Sequence, residues 1–373
     1  MVLTDKEIMI KTVLPALLLT ACLTVNAQTI KQTLGKYFLV GCAVNTTQMD
    51  GKQPKATDLI EKQYNAIVAE NCMKPEVIAP ADGMYDFRDA DKLVNFGNHN
   101  DIKVIGHVLV WHEQTSPWMF AGQNGKAPSR EEMLKRMHDY IYTVVGRYRG
   151  RVYGWDVVNE AFLDDGSVRE SPWYKAIGYD YFYYAFKFAH EADSTAQLYY
   201  NDYNMYSKGK REAVCKLVRY LRHRGCRIDA VGMQSHIGAN YPDNAEYEKT
   251  IDSLSANGVK VNISELDLNM LPNPSSFSGA DINQKYAFDK KMNPYVDGLD
   301  KKAQQLFDKR YKEIFSIISR HKEHIERVNF WGVCDADSWL NNWPIKGRTS
   351  YPLLFDRNYN MKTVAIEIMN MFK

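Results

Sequence analysis

Glu160 closes the run Trp155-Asp156-Val157-Val158-Asn159-Glu160, and Glu265 opens Glu265-Leu266-Asp267 a hundred residues later. Two carboxyls facing each other across a cleft suit cleavage of a glycosidic bond. One protonates the departing oxygen while the other attacks the sugar or activates water. Either glutamate alone reads equally well as a strand-end cap or a surface ion pair. Their company weighs against that reading: Asn159 precedes the first, and His236 and Trp331 also stand at the ends of short apolar runs. Most lone histidines are satisfied core residues, but His236 combines a strand-end position with a nearby Gln234, which favours a role at the site. His112 and the six helix or loop histidines take the ordinary structural reading.

These residues are far apart in the chain, so the elements carrying them must converge. Eight β-rich runs alternate with longer amphipathic stretches: Tyr37–Val44, Ala66–Met73, Lys103–Val110, Val152–Asn159, Ala196–Asn201, Ala230–His236, Lys260–Glu265 and Val328–Val333. Several are apolar without clean alternation, as strands covered on both faces are. Helical spacing predicts helices over Glu131–Tyr148, Lys210–Arg224 (with Gly225 as its stop) and Phe307–His321. Eight β-then-α units predict an α/β fold, a single-domain (β/α)8 TIM barrel. The stretch from Leu271 to Asp308, with Pro272, Pro274 and Gly279, reads as an extended seventh βα connection. A barrel carries its chemistry at the C-terminal ends of its strands, and the polar residues gather there. Glu160 and Glu265 then project from strands four and seven, across the barrel mouth.

The ordered motifs resemble glycoside hydrolase family 10, whose best-known members are endo-β-1,4-xylanases. The likeness spans nearly all of residues 35–372. It comprises Glu-Asn-x-Met-Lys-x-Glu at 70–76, Gly-His-x-Leu-Val-Trp-His-x-Gln at 106–114, Trp-Asp-Val-Val-Asn-Glu at 155–160 and Asn-Asp-Tyr-Asn at 201–204. Gly-x-Gln-x-His at 232–236, Glu-Leu-Asp at 265–267, Trp-Gly-Val-x-Asp at 331–335 and Ser-Trp at 338–339 follow, and then Pro352-Leu353-Leu354-Phe355-Asp356. The resemblance implies a retaining endo-1,4-β-xylanase with Glu160 as general acid/base and Glu265 as nucleophile, acting on xylan and xylo-oligosaccharides without a cofactor. It implies that Asn159 bonds the 2-hydroxyl of the sugar at the cleavage point, and that His236, held by Asp267, orients Glu265. Gln234 belongs to the same group. Glu70, Asn71, Lys74, His107 and Gln114 are implied to grip hydroxyls on the non-reducing side, and Trp111, Trp331 and Trp339 to supply flat surfaces. In the family, bulky groups matching Gln114 and Trp339 crowd the place where a hydroxymethyl group would project, which favours xylose over glucose by exclusion. Trp155 and Trp173 read as packing residues. The chain departs from the family pattern at Glu113, where Ser or Asn is common, and at Leu340, where Arg often follows the second Trp.

Composition agrees with a large core: 45% of the 373 residues are hydrophobic and 12% aromatic. A net charge of +2 gives no field that argues for nucleic acid or an anionic membrane. Lys11 and the apolar run Val13–Val25 read as an export signal, too short to span a bilayer as a helix. Val25-Asn26-Ala27 offers a cleavage site that leaves residues 28–373 as the catalytic barrel. Asp5 and Glu7 are unusual in such a leader, so Met9 is an alternative start. In a second reading, Leu19-Thr20-Ala21-Cys22 is a lipoprotein box with Cys22 acylated. Both readings export the protein, as a secreted or periplasmic enzyme or one anchored at the envelope. The five remaining cysteines are odd in number, which leaves at least one free thiol. None has zinc-site spacing, so no metal is expected. A monomer is expected. A non-catalytic glycan-binding protein would be expected to lack one carboxyl; both are present.

Overall fold

A computed structural model describes residues 28–122, 126–277 and 282–373. The proposed leader and Cys22 lie outside them. The strands are β1 (Leu39–Val44), β2 (Ala66–Ala69), β3 (Lys103–Val110), β4 (Gly154–Asn159), β5 (Gln197–Asp202), β6 (Ala230–Met233), β7 (His236–Gly238), β8 (Lys260–Asn269) and β9 (Ile325–Phe330). Every pairing between them is parallel. β1 pairs with β9 as well as β2, and β6 pairs with β8, which closes an eight-stave barrel in which β6 and β7 form one interrupted stave. The chain is an (β/α)8 barrel, as the alternating pattern predicts.

The helices on its outside are α1 (Pro54–Gln63), α2 (Arg88–His99), α3 (Arg130–Arg147), α4 (Tyr181–Ala192), α5 (Lys208–His223), α6 (Asn244–Ala256), α7 (Lys301–Arg320) and α8 (Thr363–Asn370). Their sequences explain where they start and which face they bury. Ser129 and Glu132 form a reciprocal capping box at the start of α3, and Met133, Met137, Tyr140, Ile141, Val144 and Val145 recur at helical spacing on its buried face. Asp300 caps α7 by accepting from the Ala303 N–H, so this helix begins six residues before the predicted Phe307. Its first turn buries only the small Ala303, beside exposed Lys301 and Lys302, which hides it from a periodicity reading.

Inside the barrel the packing is tight enough to dictate glycine. A Cβ on Gly106 would lie 2.1 Å from the ring of Trp155, which is fully buried as its packing assignment requires. Ala43, Val68, Ile105, Tyr199, Ala230 and Trp331 form a small apolar cluster of their own. Close to it the interior is charged: Arg327, fully buried on β9, pairs with Asp156 on β4 at 3.2 Å.

The predicted sixth strand is one run in sequence but two pieces in space. Ser235 adopts φ +65°, in the left-handed region, and separates β6 from β7. The ladder of β3 with β4, that of β4 with β5 and that of β8 with β9 each shift register near their upper ends, beside the strands that carry Trp111, Glu160 and Glu265. Bulges of this kind re-aim side chains next to active sites. The connection between β8 and α7 includes the described stretches 270–277 and 282–300, and Gly279 lies outside the described residues. Cys42, Cys72, Cys215, Cys226 and Cys334 are free thiols, and all but Cys226 are buried.

Candidate active site

Glu160 leaves β4 with φ +55°, a backbone position that costs a non-glycine residue about 1–2 kcal/mol. Its N–H still donates to the Asn201 carbonyl at 2.9 Å, so the turn is anchored to β5. Both carboxyl oxygens have donors. Trp111 Nε1 donates to Oε2 at 2.9 Å, and Gln234 Nε2 to Oε1 at 2.8 Å. Burial pushes its pKa up to about 7, and the negative charges of Asp202 and Glu265 add to that rise against the two hydrogen bonds.

Glu265, on β8, is equally buried but titrates in the opposite direction. Burial alone would raise its pKa. The hydrogen bond with His236, the fields of His107 and His236 and the Asn201 amide together hold it below the usual glutamate range. Asn201 Nδ2 donates to Glu265 Oε1 at 2.7 Å and to Asn159 Oδ1 at 2.9 Å, while Gln234 Nε2 lies 3.5 Å from the same Asn159 oxygen. A chain of amides therefore runs from Glu160 through Gln234, Asn159 and Asn201 to Glu265. Asn159 accepts along this chain with its oxygen. Its Nδ2 is left as a buried donor without a partner among the described residues, ready for a substrate hydroxyl.

The remaining residues close around this axis. Asp267 lies 3.0 Å from His236 Nδ1 and accepts from Trp339 Nε1 at 2.7 Å. His107 Nδ1 meets Asp156 at 3.0 Å, and its ring packs edge-on against Trp331 at 5.6 Å. Lys74 Nζ bonds Asn71 at 2.9 Å and Gln114 at 2.6 Å, and sits 5.2 Å over Trp111. Burial lowers the Lys74 pKa, opposed by Glu265, Glu70, Glu160 and Glu76. Burial raises that of Glu70, with Lys74 opposing. Every residue expected at the site thus joins one connected cluster at the strand ends. Trp173 stays in a packing role, donating to the Trp111 carbonyl at 3.0 Å. Burial drives the pKa of His112 down to about 3, consistent with an ordinary structural histidine.

Four residues of the cluster, Asn201, Ser264, Gly232 and Asp202, carry no role that the sequence suggests. Asn201 is the hinge of the amide chain, and Ser264 fixes its orientation by donating to Asn201 Oδ1 at 2.6 Å. Gly232 makes room for it, since a Cβ there would lie 2.1 Å from that oxygen. Asp202 is fully buried against Lys210 at 2.9 Å and biases Glu160. Asn201 and Asp202 end β5, where the strand-end rule could have found them.

An eight-stave parallel barrel with two buried, oppositely perturbed carboxyls at its strand ends defines a glycosidic-bond-cleaving enzyme. The chain belongs to glycosyl hydrolase family 10, whose model matches residues 29–371. It is 52% identical to endo-1,4-beta-xylanase A of Xylanibacter ruminicola over 357 residues, covering 96% of this chain and 97% of that protein. A beta-1,4-xylanase of Dictyoglomus thermophilum is 39% identical over 91% of this chain and 90% of its own. Among solved structures, a GH10 endoxylanase retrieved from a sugarcane soil metagenome aligns with a TM-score of 0.87 at 41% identity, covering 92% of this chain and 99% of that one.

Proposed function

We propose that the protein is an endo-1,4-β-xylanase that hydrolyses internal bonds of xylan with retention of configuration. Glu160 protonates the leaving oxygen while Glu265 attacks the anomeric carbon. Glu160, now ionised, then activates the water that releases the sugar from Glu265. The observation that carries this reading is a pair of buried carboxyls joined by one amide chain, Glu160 held by Trp111 and Gln234 and Glu265 by His236 and Asn201, surroundings that push their pKa values in opposite directions. A pair pushed apart in this way divides acid from nucleophile. The names of the similar xylanases support the choice of substrate. Asn159 Nδ2 supplies a donor for the 2-hydroxyl, and His236 keeps Glu265 anionic. The same reading has the chain exported, by cleavage after Ala27 or as a lipoprotein through Cys22, and acting as a monomer.

Proton NMR of xylohexaose hydrolysis tests the mechanism and the mode of attack together. The expected first products are β-anomers from internal cleavage. Initial α-anomers would overturn retention, and release of single xylose units from one end would overturn endo action.

A further inference from the structure

The loop after β3 and the connection after β8 meet at the barrel mouth. Asn283 Nδ2 donates to Glu113 Oε1 at 2.9 Å. β3 and β8 are the third and seventh staves of the barrel and stand on opposite sides of it. Glu113 occupies a position where family members commonly carry Ser or Asn, shorter side chains that would fall short of Asn283 from the same backbone. His112 lies 3.6 Å from the same Glu113 oxygen, beyond hydrogen-bond length, so Asn283 is the closer partner.

Both ends of this contact are anchored. The Glu76 N–H donates to the Gln114 carbonyl at 2.9 Å, and Thr115 Oγ1 donates to the Trp111 carbonyl at 2.8 Å. These bonds tie the turn that carries Glu113 to β3 and to the loop after β2. On the other side, the Tyr286 N–H donates to the Pro344 carbonyl at 3.0 Å, and Tyr286 pairs with Ile345 in a parallel bridge. Pro344 follows Trp343, which stacks on Trp339 with centroids 4.3 Å apart and planes 9° apart. Asn283 and Tyr286 are three residues apart, which limits their separation to about 11 Å. This short stretch joins the wall that carries Trp339 to the wall that carries Gln114.

We propose that Glu113 and Asn283 form a strap over the glycone half of the cleft, and that Glu113 thereby selects xylan whose glycone carries no side branch. The proposal rests on the xylan-cleaving reading above, in which Asn71, Lys74 and Gln114 hold the glycone. Successive units of a β-1,4-linked chain are turned relative to one another. A chain whose 2-hydroxyl at the cleavage point meets Asn159 therefore presents the 2- and 3-hydroxyls of the next unit toward the open side, where the strap lies. A bare unit fits beneath it. A unit branched at either hydroxyl binds only with the Asn283–Glu113 bond broken, so the branch is disfavoured by what that bond contributes. One exposed hydrogen bond is weak enough to open when a long chain enters from the side, as internal cleavage requires.

The test compares kcat/KM on aryl xylobioside with that on the same glycoside bearing an arabinosyl or a glucuronosyl branch on its non-reducing xylose. The proteins are the wild type, Glu113→Ala, Asn283→Ala and Glu113→Gln. Both Ala variants break the strap and are expected to raise the branched-to-unbranched ratio by about 5-fold, with either branch. Glu113→Gln keeps a carbonyl acceptor for Asn283 and is expected to keep the wild-type ratio. An unmoved ratio in either Ala variant would overturn the strap. A rise shared by Glu113→Gln and Glu113→Ala but confined to the glucuronosyl substrate would assign the exclusion to the Glu113 charge and overturn the strap as well. A wild type inactive on all three glycosides and on xylan would overturn the xylan-cleaving reading instead.

Discussion

The Nε2 of His236 lies 3.2 Å from the Glu265 carboxylate, and its Nδ1 lies 3.0 Å from Asp267. Burial alone would lower the His236 pKa, but its two carboxylate neighbours push it up to about 10. The raised histidine value contributes stability that is complete below the ordinary histidine pKa and lost as pH rises through about 10. The lowered Glu265 value contributes stability present above the ordinary glutamate pKa and lost as pH falls through the folded one. Across the neutral range the Glu265 contribution is complete and that of His236, though declining with pH, persists, so the proposed nucleophile is anionic beside a cationic ring.

Asp267→Asn removes the charge that most favours the imidazolium. The acid limb of the kcat/KM profile, which reports Glu265, is expected to move up by about one pH unit, equivalent to roughly 1.4 kcal/mol. The measurement is a pH profile on aryl xylobioside at constant ionic strength. An unmoved limb would show that His236 does not carry the effect of Asp267 to Glu265.

Asn201 offers a second route to the nucleophile. Asn201→Ala removes the 2.7 Å bond to Glu265 and the anchor of Asn159. A hydrogen bond to a charged group contributes about 1.5–3 kcal/mol, so kcat is expected to fall by about 10- to 100-fold. KM on xylohexaose should change much less, because Asn71 and Lys74, the residues proposed to grip the glycone, are untouched. Unchanged kcat in a variant that melts at the wild-type temperature would leave Asn201 as scaffold only.

The contrast between Asn201 and Glu265 shows what sequence reveals. Glu265, His236 and Asp267 were legible because a barrel puts strand ends at one mouth, and acidic residues there stand out against apolar strands. Asn201 ends a strand too, but a neutral amide signals no chemistry until its partners 42 and 64 residues away are in place. The break at Ser235 was hidden for a related reason. Nothing local marks it as left-handed, and it is held by backbone bonds such as that from the Gln234 N–H to the Asp202 carbonyl at 3.0 Å. The start of α7 is hidden because its capped first turn offers the core only the small Ala303.

Trp339 links the proposed block to a hydroxymethyl group with the support of Glu265, because its indole donates to Asp267 at 2.7 Å. Trp339→Ala is expected to raise the rate on aryl cellobioside relative to aryl xylobioside by relieving the clash with the hydroxymethyl group. Absolute rates on both should drop as Asp267 loses its donor. Trp339→Phe keeps most of the bulk and should retain the preference for xylose with a smaller drop. An unchanged ratio in the Ala variant would place the selectivity elsewhere in the cleft.

In the proposed retaining mechanism, Glu160 must exist in two protonation states within one turnover. Its burial, and the negative fields of Asp202 and Glu265, keep it largely protonated up to about pH 7 in the free enzyme. Once a sugar esterifies Glu265, that residue's charge disappears and the Glu160 pKa should fall, freeing it to act as base. The alkaline limb of kcat/KM is therefore expected near 7, as a property of the coupled pair. Glu160→Ala should abolish that limb. Activity on xylan, whose leaving group needs a proton, should fall by about 100- to 10,000-fold. Aryl glycosides with acidic phenols need no such help and should lose far less in the first step, so a glycosyl-enzyme should accumulate and give a burst of phenol. Added azide should then speed turnover by attacking that intermediate without a base, yielding a β-glycosyl azide. Equal losses on both substrate types, with the limb intact, would remove Glu160 from the acid/base role.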